Sequence, residues 1–236
     1  MGEKEYGHYV DYPVASGEGT VVVPEGESFR KVLILRPGDS TMPLRNIVAN
    51  AGTSIDVCIL VMPGVSLDMP LSVDLVGEGA DVSLEGVYLC GGGERVSITT
   101  RIRHRAPHCS SNQLFNGIAA GQSHASFYGR IIVAPDAQKT EAYQASHNLL
   151  LSPDAVIEAK PELEIYADDV KCSHGATTGS LNEDEQFYMR SRGVPEAEAK
   201  VLQMISFIAP VLAHIPSEEE RAKVAEEVES SIRKLL

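Results

Sequence analysis

Short β-branched runs, broken by glycine and proline at a steady beat, limit this chain more than any other feature. Val21-Val22-Val23, Lys31-Val32-Leu33-Ile34-Leu35 and Ile55-Asp56-Val57-Cys58-Ile59-Leu60-Val61 are punctuated by Pro24, Gly26, Pro37, Gly38, Gly52, Pro63 and Gly64. Such spacing gives strand, turn and strand with no room for a helix between. The beat continues through Leu71–Val76, Val82–Leu89 and Val96–Ile102. A weak echo accompanies it. Gly79-Ala80-Asp81-Val82-Ser83 returns as Gly93-Glu94-Arg95-Val96-Ser97, and Gly121-Gln122-Ser123-His124-Ala125-Ser126 resembles both. No Asn-Gly or Asp-Gly pair marks a tight hairpin loop between the runs. Two architectures fit: an antiparallel sandwich or barrel, or a solenoid whose rungs stack to bury a continuous core. The echoes and the missing hairpin signals tip the reading towards a β-helix.

The pattern changes at both ends. Residues 1–19 are polar and aromatic without period, which predicts an irregular lead-in. After Gly179 the character is helical. Glu183 to Arg192 is helix-compatible and meets Gly193, a residue suited to end a helix. Pro195 stands at a helix start with Glu196 and Glu198 in the first turn, where the dipole favours them. Val201, Ile205, Ile208, Leu212 and Ile215 then follow at helical spacing as one apolar stripe. Ser217 and Glu220 form a capping-box pattern, with Ala225, Val228, Ile232 and Leu235 as the apolar face behind it. The expected organisation is a lead-in over 1–19, a β core over 20–181 and a helical C-terminal domain over 182–236. The helices could serve as a lid on the core or as a docking surface, and the pattern leaves both open.

Composition excludes several function classes. A net charge of -13 argues against nucleic acid and anionic membrane as partners, because phosphate binding needs a basic footprint. No apolar run approaches the roughly 20 residues of a membrane-spanning helix. The start, Met1-Gly2-Glu3-Lys4-Glu5-Tyr6, has no apolar signal region, and Tyr6 stands where a myristoylation signal wants Ser or Thr. These features predict a cytoplasmic protein. Cys58, Cys90, Cys109 and Cys172 lie 32, 19 and 63 residues apart, which is neither a disulfide framework nor a zinc knuckle. Cys58 and Cys90, inside apolar runs, are expected to be buried small hydrophobes. The one phosphate-loop-like segment, Gly117 to Ser123, lacks the lysine that would reach phosphates. Gly-x-Ser-x-Gly, His-Glu-x-x-His and a dinucleotide fingerprint are absent.

Candidate chemistry gathers in Glu164-Ile165-Tyr166-Ala167-Asp168-Asp169-Val170-Lys171-Cys172-Ser173-His174-Gly175-Ala176-Thr177-Thr178-Gly179, at the seam between sheet and helix. It is expected to begin as a strand, with Ile165, Ala167 and Val170 apolar, and to end in glycine and threonine turn residues. Cys172 and His174 leave the same face of an extended chain, with Cα atoms roughly 6–7 Å apart. Thiolate and imidazole suit soft or borderline metals and iron–sulfur chemistry. Two further patterns compete. Arg101, Arg103 and Arg105 alternate with Ile102 and His104, either as a solvated outer face with His104 inside or as a basic stripe for an acidic partner. His108-Cys109 follows His104, but Pro107 interrupts any metal geometry there.

From residue 129 the chain resembles a known family. Gly129-Arg130-Ile131-Ile132-Val133, Gln138–Gln144, Asn148–Ser152, Lys160–Thr177 and Phe187-Tyr188-Met189-Arg190-Ser191-Arg192-Gly193 are similar to the SufB/SufD scaffold proteins of iron–sulfur cluster assembly. The likeness is dense from about 129 to 208, and before 120 it is one of pattern alone. Cys172-Ser173-His174-Gly175-Ala176-Thr177 resembles the SufD branch, since the SufB branch carries glutamate at the place of His174.

The resemblance implies a right-handed parallel β-helix followed by a small helical domain, and a non-enzymatic scaffold rather than an enzyme. It implies a SufC-type ATPase docked on the C-terminal helices, and a SufB-type subunit or a second copy paired through the β-helix. His174, with Cys172 beside it, would contribute to a transient iron–sulfur cluster shared with the partner chain. Familiar SufD proteins carry an additional N-terminal helical region with no counterpart here, so a compact form acting as a homodimer is also implied. The alternatives are a secreted-type β-helix enzyme acting on carbohydrate and a stand-alone iron-binding module.

Overall fold

A computed structural model describes residues 9–236 of the chain. The readings placed on Met1 to Tyr6 lie outside the described residues. Residues 9–19 form neither strand nor helix. Twelve strands follow: β1 (Thr20–Val23), β2 (Ser28–Leu35), β3 (Asn46–Ala49), β4 (Ser54–Val61), β5 (Leu67–Leu75) and β6 (Asp81–Cys90), then β7 (Arg95–His104), β8 (Ser110–Ala119), β9 (His124–Val133), β10 (Glu141–Leu150), β11 (Val156–Ile165) and β12 (Lys171–Gly179). Three helices close the chain: α1 (Glu183–Ser191), α2 (Glu196–Leu212) and α3 (Glu218–Ile232).

Every strand pairs in parallel with the strand two places along, so the odd strands build one six-stranded sheet and the even strands another. One turn of the coil takes 26 residues at Thr20↔Asn46 and 32 at His124↔Val156. Parallel pairing throughout rules out the antiparallel sandwich and gives the β-solenoid. The echoes resolve into two kinds. Arg95↔His124, Val96↔Ala125 and Ser97↔Ser126 are true rung partners, whereas Gly79–Ser83 opens β6 in the opposite sheet.

Alternation turns one side of each strand inward. The inward positions of β4 and β5 are apolar, and from β6 on large side chains are fitted against glycines one rung away. Gly86 faces Phe115 and Gly117 faces Tyr88 across the ladder. A Cβ on Gly86 would stand 2.2 Å from the Phe115 ring, and one on Gly117 would stand 2.1 Å from the Tyr88 ring. Asn116-Gly117 is therefore strand, not turn, because the aromatic ring needs the missing side chain.

Further along, the interior becomes polar. Thr100, His104, Ser111, Gln113, Gln144, Ser146 and Asn148 are all buried. Gln113 Nε2 donates to Thr100 Oγ1 at 2.6 Å, Gln144 Nε2 to the Gly129 carbonyl at 3.0 Å, and Tyr88 OH to Asn148 Oδ1 at 2.5 Å. His104 Nε2 meets Ser111 Oγ at 2.8 Å, and burial pulls its pKa down to about 3.

The arginine stripe is a correction. Ile102 and His104 do face inward, but the outer side is not a solvated basic stripe. Asp74, fully buried, accepts from Arg103 Nη2 at 2.5 Å and from Arg105 Nε at 2.8 Å. Arg105 also pairs with Asp11 and donates to the Tyr12 carbonyl at 2.5 Å, so the lead-in lies over this knot. Two of the three guanidinium groups are thus neutralised within the chain.

The helices build a second core against the outer face of the even sheet. Cys58, Leu60, Met62, Val87, Leu89 and Ile118 meet Val201, Met204, Ile208, Val211, Val224, Val228 and Ile232. Asn182 caps α1 by accepting from the amides of Asp184 and Glu185, and Gly193 ends that helix region at φ +89°. The α2 stripe is as expected, with Ile205 only partly covered. On α3 the buried face is Val224, Val228 and Ile232, and Ala225 lies at its edge. Ser217 Oγ accepts from the Glu220 amide at 3.2 Å. Arg36, the residue after β2, grips Glu227 with two bonds of 2.7 Å, tying the end of that strand to α3. Among the described residues no helix is long and apolar enough to cross a membrane.

Candidate functional site at the last rung

β11 and β12 are the last strands of their sheets, and each has a partner on one side only. The Val156 and Tyr166 amides donate to the β9 side, so the odd residues of β11 present their backbone groups to the free edge. Pro161, at one of these odd positions, costs the ladder no hydrogen bond, as an edge strand permits. In β12 the Lys171 amide donates to Thr140, which leaves the even residues, Cys172 and His174 among them, aiming their backbone groups outward from the ladder.

The segment differs from expectation at both ends. Its first part closes β11 at Ile165, residues 166–170 form a corner, and Gly175–Gly179 are strand rather than turn. Nine consecutive partners on β10, from Glu141↔Lys171 to Leu149↔Gly179, hold these weak strand formers in place. Pairing supplied by a neighbour outweighs local propensity.

Cys172 and His174 share the inward face of β12, in line with Ala142 and Gln144 of the rung before. Cys172 is half-buried and packs against the solenoid core, while His174 is exposed. Burial pushes the Cys172 thiol above its ordinary pKa, partly offset by the Ala142 backbone. A neutral thiol here becomes a thiolate ligand when a metal displaces its proton. His174 makes no hydrogen bond or ion pair with the other described residues, and no third His, Cys, Asp or Glu joins the two to complete a ligand set among them. Inward side chains of the last rung stay uncovered, Ile165 being 42% exposed.

The other candidates disperse. Cys109 is buried, its thiol donating to the Gly77 carbonyl at 3.3 Å, and His104 faces the interior, so His104, His108 and Cys109 form no metal group. Cys58 and Cys90 are buried free thiols, each pushed up to about 12 by burial. Sequence reasoning missed an apolar groove of about 700 Å³ beside the last rung, lined by Leu149, Leu181, Tyr188, Leu202 and Phe207. Leu202 lies outside the α2 stripe and was readable only as a surface leucine.

A family profile described as the SUF system FeS cluster assembly, SufBD core domain, matches residues 40–207. The chain belongs to the SufBD core family. The match begins some ninety residues before the dense motif likeness at 129. The chain is similar to the iron–sulfur cluster assembly protein SufD of Escherichia coli, 34% identical over 164 residues that make up 70% of this chain and 39% of that protein. An iron–sulfur cluster assembly SufBD family protein of Synechocystis is 45% identical over 125 residues, 52% of this chain and 28% of the relative. Protein ABCI7, chloroplastic, of Arabidopsis thaliana is 36% identical over 150 residues, 63% and 32% of the two chains. The chain thus spans less than half the length of these relatives.

Proposed function

We propose that this chain is a non-enzymatic scaffold subunit for iron–sulfur cluster assembly whose open last rung supplies half of a cluster site. The observation that carries the reading is the placement of Cys172 and His174 together, on the uncovered inward face of a strand with a free edge. An iron–sulfur cluster of the [2Fe–2S] or [4Fe–4S] type takes four protein ligands in all, and two donors on one strand leave the set incomplete. A second β-helix of the same family, a SufB-type subunit or another copy, would extend the two sheets across the free edges and bring the remaining thiolates or carboxylates. The cluster is cargo held between the chains. Family membership supports this reading over a carbohydrate-acting β-helix.

The groove between α1 and α2 supports a docking role for a SufC-type ATPase. Tyr188 and Leu202 are 58% and 44% exposed there, and Phe187, 73% exposed, is next to Tyr188 on α1 though outside the groove, so large apolar groups gather on this end of a strongly acidic chain. ATP hydrolysis in the docked subunit would move the helices, and with them the rung that leads directly into α1.

The test is anaerobic co-expression with the SufC-type and SufB-type proteins, followed by cluster reconstitution. Cys172→Ser and His174→Ala are expected to leave complex formation intact and to lower bound iron and sulfide several-fold. Unchanged cluster content in both variants would sink the assignment.

A further inference from the structure

A second cluster of donors lies far from the last rung, under the end of α2. Asp56 on β4, Glu85 on β6 and His214 just past α2 place one ligand atom each within 4.8 Å of one another. Three separate elements meet there. Asp56 and Glu85 point from the outer face of the even sheet, and the turn after α2 folds His214 back over them.

Glu85 is the anomaly. Its side chain is fully buried, between Cys58 and Leu114 on the neighbouring strands. Oε1 receives the Ser83 hydroxyl and faces His214 Nδ1 at 3.3 Å. Oε2 has no hydrogen-bond partner among the described residues. A buried carboxylate oxygen without a partner costs free energy that a few kcal/mol of packing must offset. Burial raises the Glu85 pKa, and the Ser83 hydroxyl and then His214 oppose that rise. Arg30 reaches the cluster only at Asp56 Oδ2, 3.1 Å away, and is itself mostly exposed. Two carboxylates therefore converge with one half-exposed imidazole and one peripheral guanidinium.

We propose that Asp56, Glu85 and His214 form a mononuclear site for a first-row divalent cation, which clamps the end of α2 to the second and third rungs of the even sheet. The donors fit such an ion. A tetrahedral or octahedral centre with bonds of about 2.0–2.2 Å sets its ligand atoms roughly 3–4 Å apart, reachable here by small side-chain rotations. One imidazole and two carboxylates suit Zn²⁺, Fe²⁺, Mn²⁺ or Co²⁺ rather than a sulfur-bridged cluster. Cys58 adjoins Glu85 but turns its thiol to the Val211 carbonyl, 3.9 Å away, and is not counted among the ligands. The site stands apart from Cys172 and His174 and does not depend on the scaffold reading.

Co²⁺ titration of the purified chain, followed by visible absorption, tests it. Wild type is expected to bind one equivalent with the spectrum of nitrogen and oxygen ligands and to gain Tm. Glu85→Gln and His214→Ala should each weaken binding at least about tenfold and abolish the Tm gain. The double variant C172S/H174A should bind like wild type. If Glu85→Gln misfolds, half-exposed His214→Ala carries the test alone, with circular dichroism to establish its fold. Absence of Co²⁺ binding by wild type, binding untouched by His214→Ala, or loss in C172S/H174A instead would each overturn the proposal. Cluster loss in C172S/H174A with Co²⁺ binding retained separates this site's fate from that of the last rung.

Discussion

At the residue scale, the interior decides where charge can sit. Asp74 holds two nearly buried guanidinium groups, and removing one partner of such a set leaves the others charged without compensation. Asp74→Ala is expected to destabilise the chain by about 3–5 kcal/mol, measured by urea unfolding. His104 behaves in the opposite sense. Its folded pKa, about 3, lies below the ordinary 6.5, so the unfolded chain takes up a proton first as pH falls. Stability is complete above pH 6.5 and declines towards pH 3 by about 1.4 kcal/mol per pH unit from this group. His104→Leu should flatten that slope in acid-denaturation curves, and an unchanged slope would refute the assignment. Cys172 and His174 were legible because two residues on one strand share a face whatever the strand packs against. Asp56, Glu85 and His214 were not, since only the coiling of β4 onto β6 and the return of α2 makes them neighbours. The arginine stripe misled for a related reason: its counter-charge, Asp74, lies one rung earlier.

At the element scale, ladder position outweighs composition. The beat of apolar runs and turn glycines announced many short strands but fitted a sandwich as well as a solenoid, and only the echoes and missing hairpin signals tipped it; the stripe of α2 was readable outright. β3, four residues long, and the Gly175–Gly179 half of β12 were not, because their strand character comes from the neighbour they pair with. The glycines inside strands are equally positional. Gly117→Ala would drive a methyl group into the buried Tyr88 ring and is expected to cost about 1–3 kcal/mol in chemical denaturation, as overpacking does. The Arg36–Glu227 pair is half in solvent, so Arg36→Ala should cost no more than about 1 kcal/mol despite its two short bonds.

At the scale of the whole molecule, the two exposed regions call for different perturbations. Cutting the chain at Pro195 would uncover Leu60, Val87, Leu89 and Ile118 on the even sheet and produce aggregation, which obscures any docking defect. Leu202→Glu leaves that core intact. It is expected to abolish capture of a SufC-type ATPase in a pull-down while shifting stability by less than about 0.5 kcal/mol. Retained capture would move the docking surface elsewhere.

The grip of α3 on Arg36 has one more consequence. Solenoids ordinarily grow or shrink by whole rungs, each adding about 4.8 Å of stack. Here the helices emerge after the last rung and reach back along the even sheet to the first, 191 residues earlier. They act as a ruler laid along the coil. Inserting or deleting a turn of some thirty residues between β2 and β12 would slide the outer-face contacts of every strand before the change by one strand spacing. A repeat architecture that is open-ended by nature is thereby held to a single length.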